Sequence, residues 1–152
     1  MANKSILLID DNENDVLLAQ RALKKNNISN EVVVARDGRE ALDYLFCKGK
    51  YARRDVNCNP PVVALLDLKM PRLNGLEVLK QIRENPKTKN LPVVILTSSN
   101  EDSDLIQSYD LGCNAYIRKP VDFNQFAEAV KQLGLFWLVL NEPPISIKQN
   151  QN

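Results

Sequence analysis

The chain has 152 residues, 44% of them hydrophobic and 26% charged, which suits one domain with a sizeable core. Its net charge of +1 leaves no electrostatic footprint for nucleic acid or an anionic membrane, and its longest apolar run, 133–140, falls short of the roughly 20 residues that span a bilayer. Histidine is absent, which removes Ser-His-Asp catalysis, histidine zinc sites and any phosphohistidine carried by the chain itself.

Residues 6–9, ILLI, are the first of five short apolar runs and stop at two adjacent carboxylates, Asp10 and Asp11. Like charges this close repel, and one of them would normally take up a proton unless a cation sits between them. Val16, Ala19 and Leu23 then share one face of a predicted helix. The second run, 31–35, precedes a helix with Ala41, Leu42 and Leu45 on its inner face. A long polar connection, KGKYARRDVNCNPP at 48–61, follows, with Lys48, Lys50, Arg53 and Arg54 read as solvated. The third run is 62–66; after it, Asn74 and Glu77 form a capping box for a helix whose Leu79 and Ile82 face inward. The fourth run, 91–96, leads to a weaker helix marked by Leu105 and Tyr109, its start supported by Asp102 and Asp104 through the helix dipole. After the fifth run, 115–117, Asp122 and Gln125 cap a helix carrying Phe123, Phe126, Val130, Leu133 and Trp137 at helical spacing.

Four of the runs are rich in Val and Ile and three are continuously apolar, as strands buried on both faces require. Strands and helices alternate, and right-handed crossovers then give an α/β fold: a doubly wound parallel sheet with helices on both faces. The cysteines, Cys47, Cys58 and Cys113, form no CxxC pair and are expected as reduced thiols in a cytoplasmic protein, Cys47 and Cys113 as small core residues.

Ligands of an open α/β sheet bind outside the carboxyl ends of its strands, where the strand order reverses. Those ends carry Asp10 and Asp11 after the first strand, Asp67 after the third, Thr97 after the fourth and Lys119 after the fifth. One polar residue at a strand end is ordinary; three acids, a hydroxyl and an ammonium on one edge point to a site. Carboxylates without histidine or cysteine suit a hard cation such as Mg²⁺, which would also relieve the repulsion at Asp10 and Asp11.

This spacing resembles the receiver domain of two-component response regulators over residues 5–134. Asp10 and Asp11 match the metal-binding acidic pair, Asp67 the phosphorylated aspartate, Thr97 the hydroxyl residue, Lys119 and Pro120 the lysine and following proline, and Tyr116 the switch aromatic. MPRLNG, at 70–75, matches the loop after the phosphorylated aspartate. The resemblance implies a flavodoxin-like sheet of five strands in the order 2-1-3-4-5. It implies Mg²⁺ on Asp11, Asp67 and the backbone carbonyl of Lys69, with Asp10 acting through water. Asp67 would be the nucleophile that forms an acyl phosphate, and Lys119 a point charge on a phosphoryl oxygen. Thr97 and Tyr116 would form a two-state switch on the face of the fourth helix, fifth strand and fifth helix. The donor phosphohistidine must come from a sensor histidine kinase. The long 48–61 connection and the Phe136-Trp137-Leu138 run resemble, more narrowly, small regulators paired with cyanobacterial phytochrome kinases, which makes a phytochrome the expected kinase.

The expected function is that of a single-domain response regulator, not an enzyme beyond its own phosphotransfer and slow autodephosphorylation, with no nucleic-acid or membrane partner. The alternative is a Mg²⁺-dependent phosphohydrolase working through an aspartyl phosphate, similar to haloacid-dehalogenase-type enzymes. Those want a second acid two residues after the nucleophile, where this chain has Lys69. A degenerate receiver that only binds partners is a third reading, opposed by the filling of all five key positions. Lys69 either leans over the phosphoryl group and obstructs water or points to solvent. Residues 1–134 form the expected receiver and 135–152 an apolar extension with a polar tail. The stretch 134–140 is apolar on every side, so it either folds back over the domain or pairs with a second copy; a homodimer through Phe136, Trp137 and Leu138 is expected.

Overall fold

The structure, a computed structural model, describes residues 5–25, 30–53, 60–70 and 72–119, with Asn124 and Glu128 beyond them. Five strands, β1 (Ile6–Ile9), β2 (Val32–Ala35), β3 (Val63–Leu66), β4 (Val93–Thr97) and β5 (Ala115–Arg118), form one sheet in the order β2-β1-β3-β4-β5. Every pairing is parallel. Helices α1 (Glu13–Lys25), α2 (Gly38–Leu45), α3 (Gly75–Glu84) and α4 (Asp102–Asp110) connect the strands in turn, and a short 3-10 turn spans Gly49–Tyr51. The order expected from the sequence is the order found. The predicted fifth helix and the 135–152 extension, with Phe136, Trp137 and Leu138, lie outside the described residues.

Continuous apolar runs arise because alternate residues of each inner strand feed two cores. Leu7, Ile9, Ala64, Leu66, Val93 and Ile95 pack on one face with Ala41, Leu42 and Leu45 of α2 and Val78, Leu79 and Ile82 of α3. Ile6, Leu8, Val63, Leu65, Val94 and Leu96 pack on the other with Val16, Ala19 and Leu23 of α1. The caps follow local chemistry. Asn74 accepts the Glu77 N–H at 3.0 Å to start α3, and Asp37 accepts the Glu40 N–H at 2.8 Å to start α2.

Two expectations need correction. In α4 the inward residues are Asp104 and Ser108, while Tyr109 is 51% exposed. The polar side faces in because its groups bond locally: Ser99 Oγ donates to Asp104 at 2.6 Å and Ser108 Oγ to the Asp104 carbonyl at 2.7 Å. Cys47 is not a reduced core thiol but disulfide-bonded. It is half-buried at a positive φ of 54° in the turn after α2, outside the core. Cys113 is free and buried as expected, and burial pushes its thiol up to about 11 against the pull of Arg83. Lys50 is exposed, as read, and from that position pairs with Glu40 at 2.9 Å and lies 5.2 Å from the Tyr51 ring centre.

Gly75 joins this frame to the site. A Cβ there would lie 2.3 Å from the Asp67 carbonyl oxygen and 2.8 Å from Leu68 Cα. Its N–H donates to the Leu68 carbonyl at 2.9 Å, so α3 begins directly against the end of β3. Gly75→Ala therefore has to displace the backbone beneath Asp67. Urea denaturation should register a loss of about 2–4 kcal/mol, and an unchanged midpoint would contradict this packing.

Candidate functional site

Backbone hydrogen bonds bring the polar strand ends together. Asp10 N–H donates to Ala35 at 3.0 Å and Asp67 N–H to Ile9 at 2.9 Å, so the two acids leave adjacent strands side by side. Asp10 Oδ1 accepts the Asn12 N–H at 2.9 Å, and Asn12 Oδ1 the Asp15 N–H at 3.1 Å. This turn starts α1, leaving Asp10 buried and Asp11 exposed. On the other side, Lys119 N–H donates to the Thr97 carbonyl at 2.8 Å.

The Lys119 ammonium closes the group. It donates to Asp10 at 2.6 Å and to Asp15 at 2.9 Å, and lies 3.5 Å from Asp67. Burial alone would pull its pKa down, but the bonds to Asp10 and Asp15 and the charge of Asp67 hold it above the usual lysine range. Asp67 is only 6% exposed. Burial pushes its carboxyl up to about 6, Lys119 pulls it down, Asp10 pushes it up and the Lys69 backbone N–H favours the ionised form.

Asp10, Asp11 and Asp67 each offer a carboxylate oxygen, all within 4.8 Å of one another. Two of the three are buried and one faces solvent, a hard oxygen set with an open side. A second cation beside Lys119 is what this concentration of carboxylates lacks, and the donors fit a divalent metal.

Thr97 is fully buried, its Oγ1 accepting the Ser99 N–H at 3.1 Å. The Tyr116 hydroxyl is buried and, among the described residues, has no hydrogen-bond partner. Burial and then the Asp104 charge push it above the usual tyrosine range. It thus already points inward, the orientation the sequence reading reserves for the phosphorylated state. Lys69 is exposed yet paired, its Nζ 3.4 Å from the Asp104 carboxylate.

Asp10, Asp11, Asp67, Thr97 and Lys119 therefore share one edge. Sequence reasoning missed Asp15 as a lysine partner; its place in the first turn after the acidic pair was the available signal. It also missed Asp104, treated only as a dipole residue; the Asp104 and Ser108 spacing of four on a weakly amphipathic helix was the sign that α4 turns a polar side inward. A groove of about 760 Å³ between α2 and α3 holds none of this chemistry.

A sequence profile described as the response regulator receiver domain matches residues 6–131. The chain belongs to the response regulator receiver family. Response regulator Rcp1 of Synechocystis sp. is 38% identical over 135 residues, 89% of this receiver and 89% of Rcp1. The bacteriophytochrome response regulator RtBRR is 52% identical, with a TM-score of 0.82 over 95% of this receiver and 85% of that chain. The phosphorylated cyanobacterial phytochrome response regulator RcpA is 42% identical, with a TM-score of 0.74 over 90% and 95% of the two chains. Rcp1 has also been solved in a Mn²⁺-bound form, 37% identical with a TM-score of 0.72 over 93% and 99%.

In this receiver the pKa of Asp67 is raised from 3.8 to about 6, so its ionised form opposes folding; the cost is absent below about pH 4 and fully present above about pH 6. In metal-free buffer Asp67→Asn should be more stable than wild type by about 1–3 kcal/mol at pH 7.5. The advantage should vanish as the pH falls toward 4. Thermal melts across that range test this, and an equal difference at both ends would contradict it.

Proposed function

We propose that this protein accepts a phosphoryl group from a histidine kinase, a phytochrome, on Asp67 in a Mg²⁺-dependent reaction, and thereby switches its binding to a partner. One observation carries the reading: a part-buried ammonium, Lys119, lies 3.5 Å from Asp67 inside a carboxylate cluster at the carboxyl edge of the sheet. The kinase class rests on RtBRR and RcpA, both described as phytochrome response regulators.

An Asp67 carboxylate oxygen attacks phosphorus, the bond from phosphorus to the donor imidazole breaks, and its electron pair leaves with the kinase histidine. Asp11, Asp67 and the Lys69 backbone carbonyl would hold Mg²⁺, with Asp10 acting through water. Bound there, the ion offsets the negative charge that meets at Asp67. Lys119 has only to exchange Asp10 or Asp15 for a phosphoryl oxygen. Thr97 turns its hydroxyl from its own loop toward the same group, drawing the segment before α4 inward. Tyr116, whose hydroxyl is buried without a partner, is the side chain whose position this movement sets.

The receiver unit is taken as residues 1–134 and the extension as 135–152. A homodimer through Phe136, Trp137 and Leu138 is supported by their apolar sequence and by Ile106 and Tyr109, exposed by 59% and 51% on α4. The compartment is the cytoplasm, and the protein is a signalling component with no turnover of other substrates.

Incubation with acetyl phosphate and Mg²⁺ tests the reading. Wild type should take up about one phosphate per chain, and Asp67→Asn, still folded, essentially none. Continuous release of phosphate at enzymatic rates would favour the phosphohydrolase. No uptake by wild type would leave a partner-binding domain only.

A further inference from the structure

Asp104, in the first turn of α4, is 7% exposed and takes no part in the phosphotransfer described above. Its Oδ2 accepts the Ser99 hydroxyl at 2.6 Å and lies 3.4 Å from the Lys69 ammonium. Those two residues hold equivalent places. Lys69 is two residues past Asp67 at the end of β3, and Ser99 two past Thr97 at the end of β4, and the two strands are paired. Each is also tied back to its own strand end. The Lys69 N–H favours the Asp67 carboxylate, and the Ser99 N–H donates to Thr97 Oγ1 at 3.1 Å. Ser99 Oγ additionally accepts the Glu101 N–H at 3.1 Å, which fixes it against the start of α4. Asp67, Lys69, Asp104, Ser99 and Thr97 thus form a chain of contacts that runs from the end of one strand to the end of its neighbour.

An exposed lysine pair is normally worth little, because both side chains must be ordered to make it. Here the acceptor is already buried and bonded to Ser99, so only Lys69 has to be held. We propose that Asp104 is a positioning residue that bridges Lys69 to Ser99 across the mouth of the Asp67 site and so prolongs the phosphorylated state. The proposal rests on the phosphoacceptor reading. Hydrolysis of the acyl phosphate forms a bond from phosphorus to a water oxygen and breaks the bond to the Asp67 oxygen. It regenerates the carboxylate and releases inorganic phosphate, which takes the water's proton. The water must arrive roughly in line with the breaking bond, from the solvent side of the strand ends. A lysine drawn over to α4 narrows that approach; a free one swings away.

The test follows loss of label from the full chain after loading with acetyl phosphate and Mg²⁺ and removal of the donor. Wild type, Asp104→Asn, Lys69→Ala, Lys69→Arg and the double variants are compared. Lys69 is exposed, so its variants fold whatever becomes of Asp104 variants. Asp104→Asn and Lys69→Ala should each shorten the half-life about three- to tenfold. The combination should be no worse than either, because both cut the same bridge. Lys69→Arg should keep the wild-type half-life, but not when Asp104→Asn is also present. Unchanged or lengthened half-lives in the single variants, or multiplied effects in the double, overturn the proposal alone. A wild type that takes no label overturns the phosphoacceptor reading and the proposal with it.

Discussion

A single ammonium holds the site together. Lys119 donates to Asp10 and Asp15 and faces Asp67, so three carboxylates share one cation, two of them buried. Removing charges from water is costly, and such groups persist in a folded protein only when paired and hydrogen-bonded. Asp10 and Lys119 stand 109 positions apart, so no local propensity could join them. The sheet does it, by placing β1, β3, β4 and β5 in one row and turning the chain after each toward the same edge.

One ammonium does not balance this many acids. Asp67 shows the deficit, its carboxyl raised to about 6 by burial and by Asp10 despite Lys119. The fold thus keeps a charge that destabilises it, which is common where a site awaits a ligand. A divalent cation and a phosphoryl group are the two additions that would complete the balance, one as positive charge and the other as a new partner for Lys119. The same shortage of partners recurs at Tyr116, whose buried hydroxyl has none among the described residues. Thr97 and Ser99 lie between these two incomplete places, so a change at one has a short path to the other.

The parallel sheet was legible because apolar runs that do not alternate leave no solvent face. Its site was legible because strand ends in such a sheet converge, so Asp10, Asp67, Thr97 and Lys119 could be placed on one edge from order alone. What escaped were contacts that depend on side-chain reach across the fold. Asp15 contacts Lys119 only because the α1 turn brings it over the edge, and Asp104 is buried because Ser99 folds back onto it. The disulfide at Cys47 was equally hidden, since pairing depends on which sulfur the fold brings within reach, which composition does not encode.

The central claim is that the Asp67 carboxylate becomes an acyl phosphate. Borohydride reduction of freshly phosphorylated protein, followed by peptide mass spectrometry, reads that bond directly. The account predicts conversion of the side chain at position 67 to homoserine, dependent on both donor and Mg²⁺ and absent at Asp10 and Asp11. Conversion at another carboxylate, or none under conditions where phosphate is bound, would contradict it.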